Sequence, residues 1–384
     1  MIRIAHVVEA VEGGCKRHVL ELVAGLDPQR FHQTVIHSSR RDPGFPEVVA
    51  EATGGSVETV PWNVLRRFCP ILDVRGYFFL RRLFRDGRFD IIHCHSAKAG
   101  FLGRLAARSL PAARVYTPHC FPFSIQSDAF VTSLYVWLER MAGGWTDRLV
   151  AVAPSEAELA RATKVIRPDR IVVIENGIDP TAFDIEVDTE AKRAELGLEA
   201  SDAVVLSVGA LRPQKGHQYL IEAVPEVARC HPHVQVLIAG QGQSRADLEQ
   251  LVRAQSVERH VRLLGARGDV PELLKTADCL VLPSLWEGGP YTLLEAMAAG
   301  TPVVASRIPG VTDWVREGDT GRLAEPGNPQ SLAQAIDKAL SEPDESRRLA
   351  AAAQAMVLQR NTRDRWLAEM TELYLSLVGA RDCR

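Results

Sequence analysis

The sequence lacks the features that mark several classes of protein. Its 384 residues contain only 7 cysteines, an odd number with no Cys-x-x-Cys pair. This predicts neither a disulfide framework nor a zinc cluster, and it fits a reducing compartment. No stretch of about 18 apolar residues occurs, and the chain starts directly on a strand-like pattern, so we expect no transmembrane segment and no signal peptide. These absences predict a soluble, cytoplasmic protein.

The chain also lacks an excess of charge of one sign. Lys and Arg total 45 against 48 Asp and Glu, a formal net charge of −3. The field of the whole chain therefore gives no reason to expect nucleic acid as a partner, and any anion-binding site must be local. With 28 Gly and 22 Pro, the composition is that of a globular protein, and the length predicts two or three domains.

Short runs rich in Val and Ile alternate with longer amphipathic stretches, which is typical of βαβ units with buried parallel strands. In the first half, the predicted strands are 2–8, 33–37, 57–61, 91–95, 114–117, 148–152 and 171–174. In the second half, they are 203–208, 235–239, 261–264, 279–283 and 302–305. We interpret Cys94 and Cys279, inside two of these strands, as core residues without chemistry.

A charged, strand-poor stretch separates the two series of strands. We expect an N-terminal domain over residues 1–180, a linker over 181–202, a C-terminal domain over 203–360 and a final helix over 361–384. Two helix starts are predicted in addition, by a capping box at 155–158 and by Asn328 before Pro329. The fold class is therefore α/β, with two doubly wound, Rossmann-like domains and ligands bound beyond the carboxyl ends of their strands.

The most informative segment is 283–300, with the sequence PSLWEGGPYTLLEAMAAG. A strand ends in a loop with one carboxylate, two glycines let a ligand approach the backbone, and a proline starts a helix whose N-terminus suits an anion. A second carboxylate lies just over one turn into this helix. The candidate binding residues are Glu287, Gly288, Gly289, Pro290 and Glu295. The alternative is a helix cap followed by a solvated glutamate.

A cationic turn follows the first strand of the second series. Arg212 and Lys215 are placed to neutralise a diphosphate, and Gly209 and Gly216 are expected to leave space for it. Two further strand exits carry glycine, and their candidate residues are Gly240, Leu264 and Gly265. The alternative for a lone basic loop is ordinary surface charge.

Together these motifs resemble those of the family 4 retaining glycosyltransferases of the GT-B fold, over essentially the whole chain. The Glu-x7-Glu signature of that family runs from Glu287 to Glu295, and Lys215-Gly216 matches its Lys-Gly. The sequences Ala-Gly-Gln-Gly at 239–242 and Asn-Gly-Ile-Asp at 176–179 also match. The resemblance implies two Rossmann-like domains facing a cleft, with the C-terminal helix packing back on the first domain.

Two positions depart from the family pattern. Ala210 stands where the family usually has an arginine after the glycine of the phosphate loop, so Arg212 is the candidate replacement. The usual Gly-Gly-x-x-Glu after the fifth strand of the second domain is Pro-Gly-Val-Thr-Asp at 309–313. An acid, Asp313, remains there.

The resemblance implies transfer of a sugar from a nucleotide-diphospho-sugar, with UDP or GDP, to a saccharide acceptor that is lipid-linked or part of a polysaccharide. It also implies retention of anomeric configuration without a metal or other cofactor. By this analogy Glu295 binds the ribose hydroxyls, Glu287 contacts the donor sugar, and Lys215 with the amides of Gly288 and Gly289 holds the diphosphate. The two alternatives are a non-catalytic subunit that binds sugar nucleotides and, ranked last, an epimerase of the same fold.

In the first domain, the candidates follow predicted strands. Gly13 and Gly14 resemble the family's glycine loop, which lines the cleft. By the same resemblance, His119 lies beside the donor sugar and the acceptor, where it positions a substrate or handles a proton; the alternative is a structural hydrogen bond. His95 is a weaker acceptor-side candidate, and His93 is interpreted as a core histidine.

Residues 63–90 contain seven arginines and several aromatic residues. Such a surface suits an anionic lipid or a lipid-diphosphate acceptor, which predicts peripheral contact with the inner face of a membrane. The alternative is a solvated helix whose aromatic residues pack inward. Both interpretations stay open at this point.

Overall fold

The computed structural model describes residues 1–65, 67–124 and 128–382. Its contacts divide the chain into two units. Unit 1 comprises Met1–Asn176 and Asp364–Arg384, and unit 2 comprises Gly177–Arg363. The predicted linker, 181–202, lies within unit 2, where the helix Thr189–Glu195 packs against the helix Val270–Thr276. That this stretch acts as a linker stays a prediction.

Unit 1 contains a seven-stranded parallel sheet. Its strands are β1 (Ile2–Val8), β2 (Phe31–Ser38), β3 (Glu58–Trp62), β4 (Ile91–His95), β5 (Ala113–Thr117), β6 (Arg148–Ala151) and β7 (Ile171–Val173). Its helices are α1 (Gly13–Gly25), α2 (Phe45–Thr53), α3 (Pro70–Gly87), α4 (Ala97–Ala107), α5 (Ala129–Gly143) and α6 (Pro154–Ala162), with α14 (Arg363–Asp382) at the end of the chain. The strand order is β3-β2-β1-β4-β5-β6-β7.

Unit 2 contains a six-stranded parallel sheet. Its strands are β8 (Ala203–Val208), β9 (Val234–Ala239), β10 (Val261–Gly265), β11 (Cys279–Leu282), β12 (Val303–Ser306) and β13 (Arg322–Ala324). Its helices are α7 (Thr189–Glu195), α8 (His217–Cys230), α9 (Arg245–Ala254), α10 (Val270–Thr276), α11 (Tyr291–Ala299), α12 (Pro329–Ser341) and α13 (Pro343–Arg360). The strand order is β10-β9-β8-β11-β12-β13. The predicted α/β class with two doubly wound sheets is confirmed.

The order of the strands locates the ligand-binding edge of each sheet. The chain order reverses between β1 and β4 in unit 1 and between β8 and β11 in unit 2. In open α/β sheets, ligands bind in the crevice beyond the carboxyl ends of the strands at such a reversal. The loops that follow β8 and β11 in unit 2 are therefore the expected position of a ligand-binding site.

The strands are apolar because both faces of each sheet are covered. In β1, every residue from Ile4 to Val8 is buried. Cys94 in β4 and Cys279 in β11 are fully buried, as expected for core residues. Burial raises the pKa of the Cys94 thiol to about 12, so this thiol stays protonated and unreactive at neutral pH. None of the helices in the described part of the chain is long and apolar enough to cross a membrane.

The C-terminal helix α14 belongs to the core of unit 1. Trp366, Met370 and Tyr374 pack in one cluster with Ile4 of β1 and Ile91 of β4. Gly25, at the end of α1, lies so close to α14 that an added Cβ would overlap the side chain of Leu367. The predicted return of this helix to the first domain is confirmed.

The two predicted helix caps had different outcomes. Asn328 Oδ1 accepts a hydrogen bond from the Ser331 backbone N–H at 3.0 Å, which confirms the cap of α12. The predicted capping box at 155–158 is wrong, because α6 begins at Pro154 and Ala153 precedes it. Glu156 instead accepts hydrogen bonds from the backbone N–H groups of Cys120, at 2.7 Å, and Val152, at 2.9 Å. Its carboxylate thus holds the turn after β5.

Candidate functional site

Two loops meet at the carboxyl edge of the sheet in unit 2. We name residues 209–216, after β8, the cationic loop, and residues 283–290, after β11, the glutamate loop. The Leu285 N–H donates to the Gln214 carbonyl at 2.8 Å, and Gln214 Nε2 donates to the Trp286 carbonyl at 2.9 Å. Gly216 has a φ of +66°, and an added Cβ would overlap the carbonyl of Pro283. Glycine at 216 is therefore required by the approach of the two loops.

The charged side chains of the two loops form a pair. Lys215 Nζ lies 2.6 Å from Glu287 Oε1, and Ser284 Oγ donates to the same oxygen at 2.7 Å. The Glu287 side chain is 7% exposed and that of Lys215 is 19% exposed. In such surroundings an ion pair is screened less than one at the surface. Both groups are consequently held in defined positions near the rim of the sheet.

A third loop, after β9, supports the cationic loop from the other side. An added Cβ at Gly240 would overlap the carbonyl of Gly209, and one at Gly242 would overlap that of Leu211. The Gly240 N–H donates to the Gly265 carbonyl at 2.7 Å. The structure thus brings Gly240 and Gly265 to the edge that carries Lys215. An added Cβ at Gly209 would make ordinary contact with the Lys215 stem, at 3.4 Å, so the space-clearing role of Gly209 stays a prediction.

The glutamate loop leads into the nine-residue helix α11. Pro290 takes the capping position in an extended conformation, and the helix begins at Tyr291, one residue later than expected. Gly288 and Gly289 immediately before it are half-buried, as is Glu295 in the second turn. The loop at 309–313 lies against this segment, since an added Cβ at Gly310 would stand 2.6 Å from the Glu287 carbonyl.

Two buried polar groups at this edge were missed from the sequence. Ser207 Oγ, near the end of β8, and His217 Nδ1, in the first residue of α8, have no hydrogen-bond partner within the described residues. Burial lowers the pKa of His217 to about 4, with a further contribution from Lys215. This histidine is therefore neutral at pH 7. Arg212, the candidate replacement for the family arginine, is half-buried just before the short helical turn that carries Lys215.

In unit 1, the glycine loop opens helix α1. Gly13 and Gly14 are exposed, and Gly13 has a φ of +57°. Three ion pairs that the sequence did not reveal brace the start of this helix. Arg41 contacts Glu9 at 2.7 Å and Glu12 at 3.2 Å, and Lys16 contacts Asp42 at 2.6 Å. The stretch after β2 therefore fixes the glycine loop.

The predicted core histidine, His93, is fully buried. Its Nδ1 lies 2.6 Å from the Tyr374 hydroxyl, and its Nε2 lies 2.8 Å from Thr117 Oγ1. Both ring nitrogens therefore have a partner, one of them in the C-terminal helix. The core interpretation of His93 is confirmed.

His95 and His119 contact each other. His95 Nδ1 lies 3.2 Å from His119 Nε2, and the two rings stack with centroids 5.5 Å apart. His95 is fully buried, whereas His119 is half-buried. His119 has a φ of +55°, held by the turn that Glu156 binds. Burial lowers the pKa of both histidines well below 6.5.

A further histidine of this group, His18 on α1, was not singled out from the sequence. Its Nδ1 lies 3.0 Å from Asn176 Oδ1, and its ring packs edge-on against His119 with centroids 4.5 Å apart. The only sequence signal was indirect: His18 follows the glycine loop, and Asn176 opens the Asn-Gly-Ile-Asp match. His18 and Asn176 are 158 positions apart in the sequence, so only the folded chain brings them into contact.

Comparison with known proteins agrees with these features. A family profile described as Glycosyltransferase Family 4 matches residues 12–182, and one described as Glycosyl transferases group 1 matches residues 188–356. The UDP-Gal:alpha-D-GlcNAc-diphosphoundecaprenol alpha-1,3-galactosyltransferase of Escherichia coli is 34% identical over 280 residues, 71% of this chain and 72% of that protein. The chain belongs to the family 4 glycosyltransferases.

A second relative covers more of this glycosyltransferase. The phosphatidyl-myo-inositol mannosyltransferase of Mycobacterium leprae is 31% identical over 336 residues, 85% of this chain and 83% of that protein. Among solved structures, Anabaena HepE in complex with UDP and glucose superimposes with a TM-score of 0.83 at 23% identity, covering 98% of this chain and 100% of that one. The glycosyltransferase therefore has the GT-B fold.

Proposed function

We propose that this glycosyltransferase transfers a sugar from a UDP-sugar to a saccharide acceptor, lipid-linked or part of a polysaccharide, with retention of configuration and without a metal. The observation that carries the proposal is the Lys215–Glu287 pair at the meeting of two strand-end loops. The names of similar proteins support UDP over GDP: the E. coli relative is named for UDP-Gal, and HepE was solved with UDP. The same relative is named for a diphosphoundecaprenol-linked acceptor.

In this proposal the diphosphate binds between Lys215 and the start of helix α11. The Lys215 ammonium supplies one positive charge, and we assign the backbone N–H groups of Gly288 and Gly289, just before the N-terminus of α11, to the phosphate oxygens. Arg212 adds a second cation on the same loop. These fixed charges stabilise the negative charge that develops on the leaving diphosphate, which is the work that a metal ion does in other transferases.

Two carboxylates orient the rest of the donor. Glu295, on α11, accepts hydrogen bonds from the ribose hydroxyls of the nucleotide. Both observed contacts of Glu287 use Oε1, so we assign Oε2 to the donor sugar near the reacting carbon. The base contacts the backbone around Leu264 and Gly265, and Gly240 keeps the floor of this pocket free of a side chain.

The reaction exchanges one bond for another at the anomeric carbon. The bond from this carbon to the diphosphate oxygen breaks, and the bond to the acceptor oxygen forms on the same face of the sugar. The acceptor proton passes to the leaving diphosphate. In unit 1, His119 positions the acceptor, and Gly13 and Gly14 allow close approach of a substrate. Since burial keeps His119 neutral, it is suited to hydrogen bonding rather than to carrying charge.

The proposal is tested by a donor screen followed by a transfer assay. Thermal shift should show stabilisation by UDP and UDP-sugars, because a ligand that binds only the folded state raises its stability. UDP release from the stabilising donor in the presence of lipid-linked or polysaccharide acceptors should then depend on Glu287 and Lys215. Binding without turnover over the acceptor panel would favour the non-catalytic subunit instead.

We also propose that helices α3 and α5 of unit 1 contact an anionic bilayer at the cytoplasmic face. On α3, Phe84 is buried, whereas Phe78 is 62% exposed. Arg82 and Arg85 on the same helix are exposed. On α5, Phe130 and Trp137 are exposed in addition. Helix α4 contacts both α3 and α5. Exposed aromatic and cationic side chains on such helices suit a lipid surface. Arg66, part of the predicted surface, lies outside the described residues.

The membrane contact is tested by sedimentation with vesicles that contain anionic lipid. The double variant Arg82→Ala/Arg85→Ala should sediment less, whereas Arg347→Ala, an exposed arginine of unit 2, should behave as the wild type. Arg81 is unsuitable for this test, because it bonds the Ala106 carbonyl and Ser109 Oγ. Sedimentation that is unchanged in the double variant would remove the proposal.

A further inference from the structure

We propose that His18, His95 and His119 form a binding site in unit 1 for a divalent transition-metal ion such as Zn²⁺. One ligand atom from each of these three residues lies within 4.8 Å of the other two. His95 Nδ1 and His119 Nε2 are 3.2 Å apart. Two nitrogens on a tetrahedral zinc ion with bonds of 2.0–2.1 Å stand about 3.3–3.4 Å apart, so this pair is already near the required spacing.

The surroundings of His18 prepare it to be a ligand. Asn176 Oδ1 lies 3.0 Å from His18 Nδ1 and accepts a hydrogen bond from its N–H, which leaves the lone pair on Nε2. His18 is fully buried, and its Nε2 has no hydrogen-bond partner among the residues that the structure describes. A buried polar atom without a partner is uncommon, and a bound cation would satisfy it. An oxygen that orients the ligating histidine from its far side is also the usual arrangement at metal sites.

The chemistry of the three ligands selects the class of metal ion. Three imidazoles suit zinc, copper, nickel or cobalt rather than magnesium or calcium. His119 is half-buried, which provides a route of entry and leaves a fourth position for water.

A neighbouring group of histidines is less suited. His6, His93 and His95 also lie within 4.8 Å of one another. However, His93 already uses both ring nitrogens, on the Tyr374 hydroxyl and on Thr117 Oγ1. If His93 bound a metal ion through either nitrogen, it would lose one of these two contacts. The site is therefore assigned to the group that contains His18.

The consequence for activity rests on the proposed function. If His119 positions the acceptor, a metal ion that binds its ring nitrogen removes it from that role. The metal would then be an inhibitor of transfer, reversed by a chelator, and not a cofactor. The added metal would therefore lower the rate of transfer, whereas Mg²⁺ raises it in transferases that use this ion to hold the diphosphate.

The test is metal binding to the full chain after treatment with a chelator. We expect one Zn²⁺ per chain with an affinity in the micromolar range or tighter, and a visible absorption band of tetrahedral type with Co²⁺. The variants His18→Gln and His119→Gln should each weaken binding by about tenfold to a hundredfold, and Asn176→Ala, which keeps all three ligands, should weaken it less. The control is His231→Gln, in unit 2, which should bind as the wild type.

The outcomes separate this inference from the proposed function. Absence of saturable binding, or binding unchanged in both His18→Gln and His119→Gln, would overturn the metal site even if transfer is observed. Conversely, saturable binding that is lost in these two variants supports the site even if no transfer is found. Melting temperatures measured without metal identify a histidine variant that has failed to fold. In that case the Asn176→Ala variant decides whether the site exists, since it should bind Zn²⁺ more weakly than the wild type.

Discussion

Lys215 Nζ lies 2.6 Å from Glu287 Oε1, although the two residues are 72 positions apart. Each sits in a loop that leaves one of two adjacent strands, β8 and β11. Ser284 donates to the same carboxylate oxygen, so Glu287 holds the ammonium in place while keeping its second oxygen for another partner. The pair links the cation proposed for the diphosphate to the carboxylate proposed for the donor sugar.

Substitution of Lys215 and substitution of Glu287 should affect UDP binding and transfer differently. Lys215→Met removes the cation that we assign to the diphosphate, so the Kd for UDP should rise by about tenfold to a hundredfold, as for loss of one hydrogen bond to a charged group. Glu287→Gln keeps the size of the side chain, so UDP affinity should remain within about threefold while transfer is lost. Calorimetry with UDP and a transfer assay measure the two effects. Lys338→Met and Glu258→Gln are the exposed controls, and normal turnover in Glu287→Gln would exclude its assigned role.

Glu295 should affect nucleotide binding through the ribose. Glu295→Gln weakens a charge-assisted hydrogen bond to a hydroxyl, which is typically worth about 1.5–3 kcal/mol in full, so UDP affinity should fall by up to about a hundredfold. The affinity for 2′-deoxy-UDP should fall much less, because this ligand lacks one of the hydroxyls. Calorimetric titration of both ligands into both proteins gives the comparison. An equal loss for the two ligands would argue against a contact with the 2′-hydroxyl.

The close approach of the two loops can be tested at a single glycine. Gly216→Ala should lower the melting temperature and weaken UDP binding, because the new Cβ would overlap the Pro283 carbonyl. Gly318→Ala is the matched control: Gly318 has a φ of +71°, similar to the +66° of Gly216, but an added Cβ there would meet nothing within 4 Å. Both variants carry the strain of a positive φ, about 1 kcal/mol or somewhat more. If the two variants lost equal stability, the loops would not be as close as the structure shows.

The buried histidines should make unit 1 sensitive to mild acid. Burial lowers the pKa of His6 and His18 to about 4, whereas an unfolded histidine titrates near pH 6.5. Between these two values the unfolded state binds more protons than the folded state, so stability is lost as the pH falls below 6.5. At pH 5.5 the loss is about 1.4 kcal/mol for each of the two residues.

Urea unfolding at pH 8.5, 7.5 and 5.5, followed by tryptophan fluorescence, measures this dependence. We expect these histidines to change the free energy of unfolding little between pH 8.5 and 7.5 and to lower it clearly at pH 5.5. In His6→Gln, which keeps a polar group beside Gln33, the loss between pH 7.5 and 5.5 should be smaller than in the wild type. An equal loss in both proteins would show that His6 is not kept neutral by burial.

The sequence predicted the strands well because both faces of each sheet are covered, which leaves largely apolar runs such as Ile4 to Val8, interrupted only by His6. The carboxyl ends of the predicted strands β8 and β11 then locate the edge of the sheet where Lys215 and Glu287 lie. The three-residue strand β13 (Arg322–Ala324) was missed, because a run of that length carries no periodic signal. The wrongly predicted capping box at 155–158 has a different cause. Glu156 binds the backbone N–H of Cys120, which is distant in sequence.

Other parts of the site depend on tertiary contacts that no local pattern reveals. Ser284 has no local sequence signal of its own, and its bond to Glu287 forms only once the loop has folded. The group of His18, His95 and His119 joins α1, β4 and the turn after β5. A single histidine carries little information in a sequence, and the grouping of these three is seen only in the folded chain.

The most direct test of the account is a crystal structure of the protein with UDP or a UDP-sugar bound. The account predicts the diphosphate within hydrogen-bond distance of Lys215 Nζ and of a backbone N–H at Gly288 or Gly289, with the ribose hydroxyls on Glu295. A nucleotide bound elsewhere, with the Lys215–Glu287 pair untouched, would contradict it.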